Sequence, residues 1–429
     1  MHIHHVTRAV AVFVVAAMPA LAFAQDASGP DAGAPADQTE TIGAPPGVWM
    51  FAEPGFVSQA LDLSKRVFGD GNAPPKTGFY PEFSNMITGS GFISAGPGYR
   101  YNFLHNTAFV DVSAALSWHL YKMAQARIEF SQLADDRVTI GAQAMWQDNT
   151  QVSYFGLGPD HTIDDQAQYR MQTTDYVGYF AVRPTEWLTL GAEGGWLQRP
   201  RIMATAGSFN PNYPDARVVY ASDPAMSDAF QPNFVHTELS ATANTLDSRS
   251  HPTDGGLYRA AMVSYHDQST NAYNFNQYEA EAIQMVPLGD RRVVLGLHAW
   301  TVYSQANDGQ VPFYLMPYVG GNNTIRAYDD YEFHDQNIVV ATAELRIALL
   351  AHLDAAAFYD AGNVAAHYGN LNFDKTAVGG GLRLHLNKAT FARMDLAHGS
   401  EGWRFIFRTS DPFKLSRVTK RLANIPFMP

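Results

Sequence analysis

The chain lacks cysteine altogether and carries fewer basic than acidic residues. Its 429 residues include no Cys, 29 Lys and Arg, and 41 Asp and Glu, so the formal charge is -12 at pH 7. Without cysteine, neither a disulfide framework nor a thiolate metal site can form. A nucleic-acid-binding surface needs clustered basic residues, so this charge balance argues against nucleic acid as a partner.

Long apolar segments are also scarce. One apolar run, residues 9–22, follows a basic residue and ends in Ala22-Phe23-Ala24. A membrane helix needs about 20 apolar residues, whereas a shorter run that ends in a small-x-small sequence is typical of a secretory signal peptide. We therefore expect residues 1–24 to be a signal peptide cleaved after Ala24, which would leave the histidines at its start without a metal-binding role.

No later stretch of the sequence predicts a membrane helix, which would need about 18 or more apolar residues. If the mature chain enters a membrane, it must do so as a closed β-barrel, because only helices and closed barrels satisfy every backbone polar group in lipid. Together with a signal peptide, this indicates the outer membrane.

The segment at residues 25–84 differs in composition from the rest of the chain. Residues 25–53 are rich in Ala, Pro, Gly and Asp, a composition typical of a disordered linker. Apolar residues then recur at three- and four-residue spacing from Phe56 to Phe68, which predicts one short helix with Gly69 as its stop signal. We interpret residues 25–84 as a linker with a short helix.

From about residue 91, apolar and polar residues alternate, which is the pattern of strands with two different faces. This alternation fits a soluble β-sandwich with its apolar side inside, and equally a membrane barrel with its apolar side toward lipid. Run length favours the barrel, because the runs span roughly nine to thirteen residues and soluble strands average about five or six. We count about sixteen runs, centred near residues 97, 113, 127, 142, 176, 192, 242, 261, 281, 298, 315, 343, 357, 381, 393 and 406.

The predicted fold class is therefore all-β: a transmembrane antiparallel β-barrel of about 16 strands over residues 85–413. The predicted connections alternate between tight turns and long loops such as residues 199–235, which is usual in barrels with short periplasmic turns and long external loops. Residues 414–429 then form a C-terminal extension, basic at first and apolar at its end.

Several short motifs occur in a fixed order in this region. They resemble the motifs of the bacterial surface antigen outer-membrane barrels, the superfamily of the BAM-complex insertase, its TAM-complex relative and the two-partner secretion transporters. The resemblance covers roughly residues 85–413. It is carried by Tyr154-Phe155-Gly156-Leu157-Gly158; by Asp247, Arg249, Pro252 and Gly255 in a D-x-R…P…G strand–turn motif; by Val311-Pro312-Phe313-Tyr314, Gly320-Gly321 and Ile325-Arg326-Ala327-Tyr328; and by Glu344 and the F-x-D-x-G run at Phe358, Asp360 and Gly362.

The resemblance implies an external loop that folds into the lumen and is held there by its arginine. Arg326 would pair with acids on the next two strands, and a guanidinium fits a carboxylate with two parallel hydrogen bonds. The alternation places Glu344 on the polar face of its strand, while the place of Asp360 rests on the resemblance alone. The implied lock consists of Arg326, Tyr328, Glu344, Phe358, Asp360 and Gly362, with Gly320 and Gly321 as the loop hinge.

This sequence departs from the family pattern at the tip of the loop. Ala327 stands where the family motif has glycine, so we expect the sharp turn to be relaxed or reached differently. The family's periplasmic repeats have no room within residues 25–84, which suggests a separate periplasmic partner.

The function implied by the resemblance is insertion or translocation of proteins at the outer membrane, through opening between the first and last strands. The implied partners are outer-membrane lipid and client polypeptides. One alternative is a plugged channel or structural surface protein without assembly activity. Another is a lipid-acting barrel enzyme with Glu344 and Asp360 as an acid/base pair, but the sequence has no G-x-S-x-G, H-E-x-x-H or P-loop motif. We therefore predict that the protein is not an enzyme and has no cofactor or metal.

Overall fold

The computed structural model describes most of residues 77–413, and the two ends of the chain lie outside the described residues. The signal peptide, the linker, the helix at Phe56–Phe68 and the C-terminal extension predicted from the sequence all lie outside the described residues. These residues are 77–82, 94–206, 213–227, 231–248, 251–289, 291–307, 309–321, 324–386, 389–408 and 411–413.

Sixteen strands form one antiparallel sheet in which neighbours in the chain are neighbours in the sheet. Two further short strands, β12 and β13, pair with each other in the connection between β11 and β14. The strands are β1 Gly78–Glu82, β2 Ser94–Phe103, β3 Ala108–Ser117, β4 Lys122–Leu133, β5 Val138–Tyr154, β6 Ala167–Thr185, β7 Leu188–Met203, β8 Phe234–Asn244, β9 Gly255–Asp267, β10 Phe275–Leu288, β11 Val293–Gln305, β12 Tyr318–Val319, β13 Phe333–His334, β14 Asn337–Leu350, β15 Leu353–Ala365, β16 Lys375–Leu386, β17 Ala389–Gly399 and β18 Gly402–Arg408.

Helical structure in the described chain is confined to single turns in the connections. Two α-helical turns, α1 Ala216–Val219 and α2 Pro224–Ser227, lie between β7 and β8. Three 3-10 turns lie at Ile163–Asp165, Phe313–Leu315 and Tyr368–Asn370. Among the described residues there is no helix with the length and apolar character that crossing a membrane requires.

The two faces of the sheet have the polarity of a membrane barrel. Large apolar side chains point outward, with Leu239 63% and Phe405 66% exposed, whereas charged side chains such as Glu344 and Arg383 are fully buried inside. A soluble sandwich would bury the apolar face instead. Apolar side chains therefore face outward and charged ones inward, as in a membrane barrel and unlike a soluble sandwich. The predicted fold class is confirmed.

Two details of the strand prediction are wrong, although the number of strands agrees. One predicted strand is a turn, and the sheet begins earlier than predicted. The apolar run near residue 315 is a buried 3-10 turn rather than a strand. Its side chains pack against aromatic residues of β5 and β6, so burial by the loop itself explains their apolar character. The sheet begins with β1 at Gly78, earlier than the predicted start at residue 85, because a strand of five residues is too short for alternation to reveal.

The interior is occupied from both ends by connections between strands. We call residues 306–336, between β11 and β14, the lumen loop, and residues 245–254, between β8 and β9, the crossing turn. In the lumen loop, Phe313 lies 4.9 Å between ring centroids from Tyr154 on β5, while Arg326 bonds to Asp360 on β15. Because consecutive connections alternate between the two ends of an antiparallel sheet, the lumen loop and the crossing turn enter from opposite ends.

The first and last strands of the sheet are short, and we call the position between their two free edges the seam. Strand β1 has five residues and β18 has seven, whereas the other fourteen strands of the sheet have 10 to 19. Within the described residues, no ladder of hydrogen bonds joins β1 to β18. The sheet is therefore not closed by backbone pairing at this position.

Candidate functional site

A tight turn at the tip of the lumen loop presents its arginine to the barrel wall. Gly320 and Gly321 have φ values of 113° and 90°, in the left-handed region that favours glycine. The Gly321 N–H donates to the Tyr328 carbonyl at 3.1 Å, and the Thr324 hydroxyl donates to the Gly320 carbonyl at 2.9 Å. These bonds close the turn, so the two predicted hinge glycines hold the loop tip in a defined direction.

Arg326 at this tip forms hydrogen bonds to Asp360 and Glu344, the two acids that the family resemblance implied as its partners. Its Nη2 and Nε donate to Asp360 Oδ1 and Oδ2 at 2.7 and 2.8 Å, and its Nη1 donates to Glu344 Oε2 at 2.7 Å. The backbone N–H of Arg326 also donates to Asp360, at 3.1 Å. The guanidinium carbon lies 3.3 Å from the centroid of the Phe358 ring. One buried arginine is thus held by two strands and an aromatic face, an arrangement we call the loop lock.

The remaining predicted residues lie around this pairing without touching the guanidinium. The Tyr328 hydroxyl lies 2.9 Å from the Ser400 hydroxyl in the turn between β17 and β18. A Cβ at Gly362 would come within 2.4 Å of the Val339 carbonyl oxygen, so this position has no room for a side chain. Tyr328 therefore extends the contact of the loop tip, and Gly362 allows β14 and β15 to approach.

The lock continues into a wider ion-pair network that the motifs did not identify. Glu344 also accepts hydrogen bonds from Arg346 Nε at 2.9 Å and Arg383 Nη2 at 2.8 Å. Arg383 bonds in turn to Asp395, and Arg346 Nη2 donates to Asp411 at 2.8 Å. Arg393 lies beside Asp395, so that four arginines and four acids of the described chain form one network whose formal charges cancel. Its members are Arg326, Arg346, Arg383, Arg393, Glu344, Asp360, Asp395 and Asp411.

The lumen loop is attached to the last strand as well as to β14 and β15. Asp329 and Arg404 on β18 form an ion pair at 2.5 Å, and Asp330 lies 3.5 Å from Arg408 on the same strand. Arg404 also donates to the Tyr328 carbonyl. One side of the seam is therefore tied to the tip of the lumen loop.

The predicted strand–turn motif shapes the crossing turn and lies apart from Arg326. The Asp247 carboxylate accepts from the N–H and hydroxyl of Thr253 at 2.8 and 2.5 Å, and from the N–H of Asp254 at 3.1 Å. Gly255 has a φ of 93°, and a Cβ there would lie 2.1 Å from the Thr245 carbonyl oxygen. Pro252 is buried in the turn, whereas Arg249 lies outside the described residues.

Ala327, the residue in place of the family's motif glycine, is accommodated by a glycine on the opposing strand. Ala327 is not among the described residues with positive φ, so its backbone does not require glycine. A Cβ on Gly399 would lie 2.6 Å from the Ala327 Cβ and 3.0 Å from the Thr376 carbonyl oxygen. The close approach of loop and wall is therefore provided by Gly399 on β17.

Gly399→Ala is expected to destabilise the barrel by about 1–3 kcal/mol, because the added methyl overpacks this contact. The measurement is denaturant unfolding of the refolded protein in detergent. Gly194→Ala is the matched control, since a Cβ at this position meets nothing within 4 Å. Adding Ala327→Gly to Gly399→Ala should recover part of the loss, and the absence of any recovery would contradict the proposed contact.

Attachment of the lumen loop is expected to weaken as the pH rises. Burial, together with the neighbouring Glu401 carboxylate, raises the pKa of Glu332 from 4.5 to about 8. An acid with a raised folded-state pKa is stabilising below its ordinary pKa, and that contribution is lost as the pH rises through the folded value. The stability of the loop should therefore fall between about pH 4.5 and 8 and change little above.

Hydrogen exchange of amides in residues 306–336, corrected for the intrinsic effect of pH, measures this dependence. Glu332→Gln should flatten the profile, because glutamine does not ionise. Glu186→Gln, at an exposed position between β6 and β7, is the control and should leave the profile unchanged. A wild-type loop with the same protection at pH 5 and pH 8 would refute the role of Glu332.

The sequence and the fold of this chain are similar to those of known proteins. The profile of the Omp85 superfamily domain matches residues 102–401. No curated protein sequence matches the chain. The fold is similar to that of BamA from Haemophilus ducreyi lacking POTRA domains 1–3, with a TM-score of 0.57, 14% identity, and coverage of 82% of this chain and 77% of that chain.

Two further solved structures show weaker similarity. CdiB from Acinetobacter baumannii has a TM-score of 0.46 and 11% identity over 78% of this chain, and CdiB from Escherichia coli has 0.48 and 12% over 79%. This chain covers 60% of the length of each CdiB structure.

Proposed function

The chain belongs to the Omp85 superfamily of outer-membrane β-barrels, and from this we propose that it inserts polypeptides into the outer membrane or translocates them across it. The observation that carries the proposal is the seam between β1 and β18. The strands on both sides are short, and no described ladder joins them. A client polypeptide in extended form would enter at this position.

The chemistry of this step is backbone pairing. An edge strand presents unpaired N–H and C=O groups, which serve as a template for an added strand. Because no described backbone ladder joins β1 to β18, separating them breaks none of the described strand pairing, and each edge strand retains its full pairing to β2 or β17. Opening at the seam would therefore cost less than opening between any other two strands of the sheet.

The loop lock supports this proposal by fixing one side of the seam. Arg326 connects the loop tip to β14 and β15, and Asp329 connects the same tip to Arg404 on β18. Movement of β18 away from the wall would break the ion pair between Asp329 and Arg404. We propose that the lumen loop holds the β18 edge in place while a client pairs with the opening.

No step of this function breaks a covalent bond, so we propose that the protein is not an enzyme. Glu344 and Asp360 are each held by arginine, and an acid held in an ion pair is poorly suited to transfer a proton. Purified protein should therefore not hydrolyse lipid. The partners are client polypeptides and outer-membrane lipid, and co-purification would identify a separate periplasmic partner.

Cross-linking the seam tests the proposal directly. The native chain has no cysteine, so introduced cysteines are its only thiols. Phe79→Cys on β1 and Phe405→Cys on β18 replace outward-facing residues that are 86% and 66% exposed. In proteoliposomes, the uncross-linked pair should accelerate folding of an unfolded small outer-membrane barrel, and joining the thiols with a flexible cross-linker should abolish this acceleration.

The matched control joins two strands away from the seam. Leu239→Cys and Met262→Cys replace directly paired outward-facing residues of β8 and β9, and their cross-link should leave the activity unchanged. Equal acceleration by the cross-linked and uncross-linked seam would exclude opening between β1 and β18. In cells, depletion of the protein should lower the outer-membrane level of some clients, and an unchanged outer-membrane proteome would exclude an assembly function altogether.

A plugged channel is the second candidate function, favoured by the two connections that enter the lumen. The lumen loop and the crossing turn approach from opposite ends, and Arg326 holds the loop inside. Under this alternative, planar-bilayer conductance should be low for the native protein and rise in Arg326→Ala. Such a rise, together with an unchanged outer-membrane proteome on depletion, would favour the channel over the insertase.

A further inference from the structure

Two histidines and one aspartate converge at the end of the lumen opposite the loop lock. His251 lies in the crossing turn, Asp354 near the start of β15, and His385 near the end of β16. His251 Nε2 lies 3.2 Å from Asp354 Oδ2, and His385 Nε2 lies 3.4 Å from Asp354 Oδ1. One potential ligand atom from each residue lies within 4.8 Å of the other two. The three side chains are 6%, 9% and 12% exposed, so solvent has little access to them.

The hydrogen bonds behind His251 fix the position of its proton. Its Nδ1 lies 2.8 Å from the Thr390 hydroxyl oxygen, and that hydroxyl donates to Asp411 Oδ2 at 3.0 Å. The Asp411 carboxylate only accepts, and a hydroxyl has a single proton to donate. Thr390 must therefore accept from His251, whose Nδ1 carries the proton. In the neutral ring, Nε2 then has a lone pair that faces the Asp354 carboxylate, so two acceptors oppose each other unless a proton or a metal ion lies between them.

Protonation of both rings does not resolve this arrangement. The His251 and His385 rings are stacked, with centroids 4.1 Å apart and planes at 12°. If both rings were protonated, two positive charges would lie face to face against one shared carboxylate.

We infer that His251, Asp354 and His385 bind a divalent transition-metal ion of the Zn²⁺ class, with a fourth position open to water. Neutral imidazole nitrogens and a carboxylate are the ligands this class of ion prefers. With bonds of about 2.0–2.1 Å, ligands at two corners of a tetrahedron lie about 3.3–3.4 Å apart. His251 Nε2 lies 3.2 Å from Oδ2 and His385 Nε2 lies 3.4 Å from Oδ1, so each carboxylate oxygen already faces one ring nitrogen at about this separation.

Two features of the surroundings fit a metal site. The chain from His251 through Thr390 to Asp411 is the type of second-sphere hydrogen bond that orients a histidine ligand. To direct both lone pairs at one ion, the stacked rings must open from 4.1 Å to about 5 Å between centroids. This change requires only side-chain rotation. The bound ion would fasten the crossing turn to β15 and β16 on the opposite wall.

Metal binding by the purified full chain tests the inference. After refolding in detergent and treatment with a chelator, the protein is exposed to Zn²⁺ or Co²⁺, and the bound ion is counted by elemental analysis. We expect one Zn²⁺ per chain at this site, a rise in the thermal unfolding temperature, and the intense visible absorption of tetrahedral Co²⁺. Folded native protein without bound Zn²⁺ would overturn the inference.

Substitutions assign the ion to these ligands. His251→Gln and His385→Gln should each abolish the Co²⁺ spectrum and the Zn²⁺-dependent rise in unfolding temperature. His266→Gln replaces an exposed histidine on β9 and is the matched control, which should retain both. Binding that persists when His251 and His385 are replaced together would belong to histidines elsewhere in the chain and would contradict the site. Gel migration before and after heating shows whether each variant has folded.

Thr390→Val separates positioning from ligation. Valine is similar in shape to threonine but cannot accept the proton of His251 Nδ1, so all three ligands remain while one of them loses its orientation. Affinity for Zn²⁺ should fall about 10- to 100-fold, with the Co²⁺ spectrum recovered at higher metal concentration. An unchanged affinity would show that the hydrogen-bond chain behind His251 does not orient a metal ligand.

Discussion

Arg326→Ala is expected to lower the free energy of unfolding by about 3–5 kcal/mol, because it leaves a buried carboxylate without its partner. Three hydrogen bonds to Asp360 come from Arg326, one from its backbone and two from its side chain. Glu344 keeps Arg346 and Arg383, so the uncompensated charge lies on Asp360. Arg326→Lys should recover only part of the loss, since an ammonium cannot form the bidentate contact.

Denaturant unfolding of the refolded barrel in detergent measures this effect, and protease cleavage within residues 306–336 reports release of the loop. Arg217→Ala is the matched control, because its ion pair with Asp215 lies at the surface and such pairs contribute about 0–1 kcal/mol. In the double variant with Asp360→Ala, the loss should be smaller than the sum of the two single losses. Additive losses would show that the two residues do not interact.

Glu344→Gln is expected to destabilise the barrel by at least a similar amount, about 3–5 kcal/mol. This carboxylate accepts from Arg326, Arg346 and Arg383, and it is fully buried. Glutamine preserves the shape of the side chain but leaves three guanidinium groups around an uncharged centre. The charge balance of the network then changes from zero to one excess positive charge.

Restoring the balance tests the electrostatic cause of this loss. The double variant Glu344→Gln/Arg383→Gln removes one charge of each sign and should be more stable than Glu344→Gln alone. Glu186→Gln at an exposed turn is the control and should change the free energy of unfolding by less than about 0.5 kcal/mol. If the double variant were less stable than Glu344→Gln alone, hydrogen-bond geometry rather than charge balance would dominate the network.

The sequence was sufficient to predict fifteen of the sixteen strands of the described sheet and the central contact of the loop lock. Alternation separates two faces of a strand, and run length separates membrane strands from most soluble ones. The family motifs identify Arg326, Glu344 and Asp360 because these residues occur at characteristic positions in one order. The prediction depended on patterns within single strands and within one loop.

The wider network could not be predicted, because it depends on the register between strands. Alternation places Arg346, Arg383 and Asp395 on polar faces, but it does not show which side chains of neighbouring strands lie at the same height. That alignment follows from the pairing of β14 to β17, for example Arg383 opposite Arg393 and Asp354. The contact between Ala327 and Gly399 has the same origin, since Ala327 belongs to the lumen loop and Gly399 to β17.

Among the described residues, the contacts of the lumen loop with the seam are made to β18, which makes the barrel mechanically asymmetric. Strand β18 is fastened through Arg404 and Arg408 to a loop that is itself anchored in β14 and β15. Strand β1 pairs through its backbone with β2, and Tyr80 on β1 donates to Asp111 on β3 at 2.7 Å. The β18 edge is therefore stiff and the β1 edge compliant, so that displacement across the seam would be carried mainly by β1 and β2.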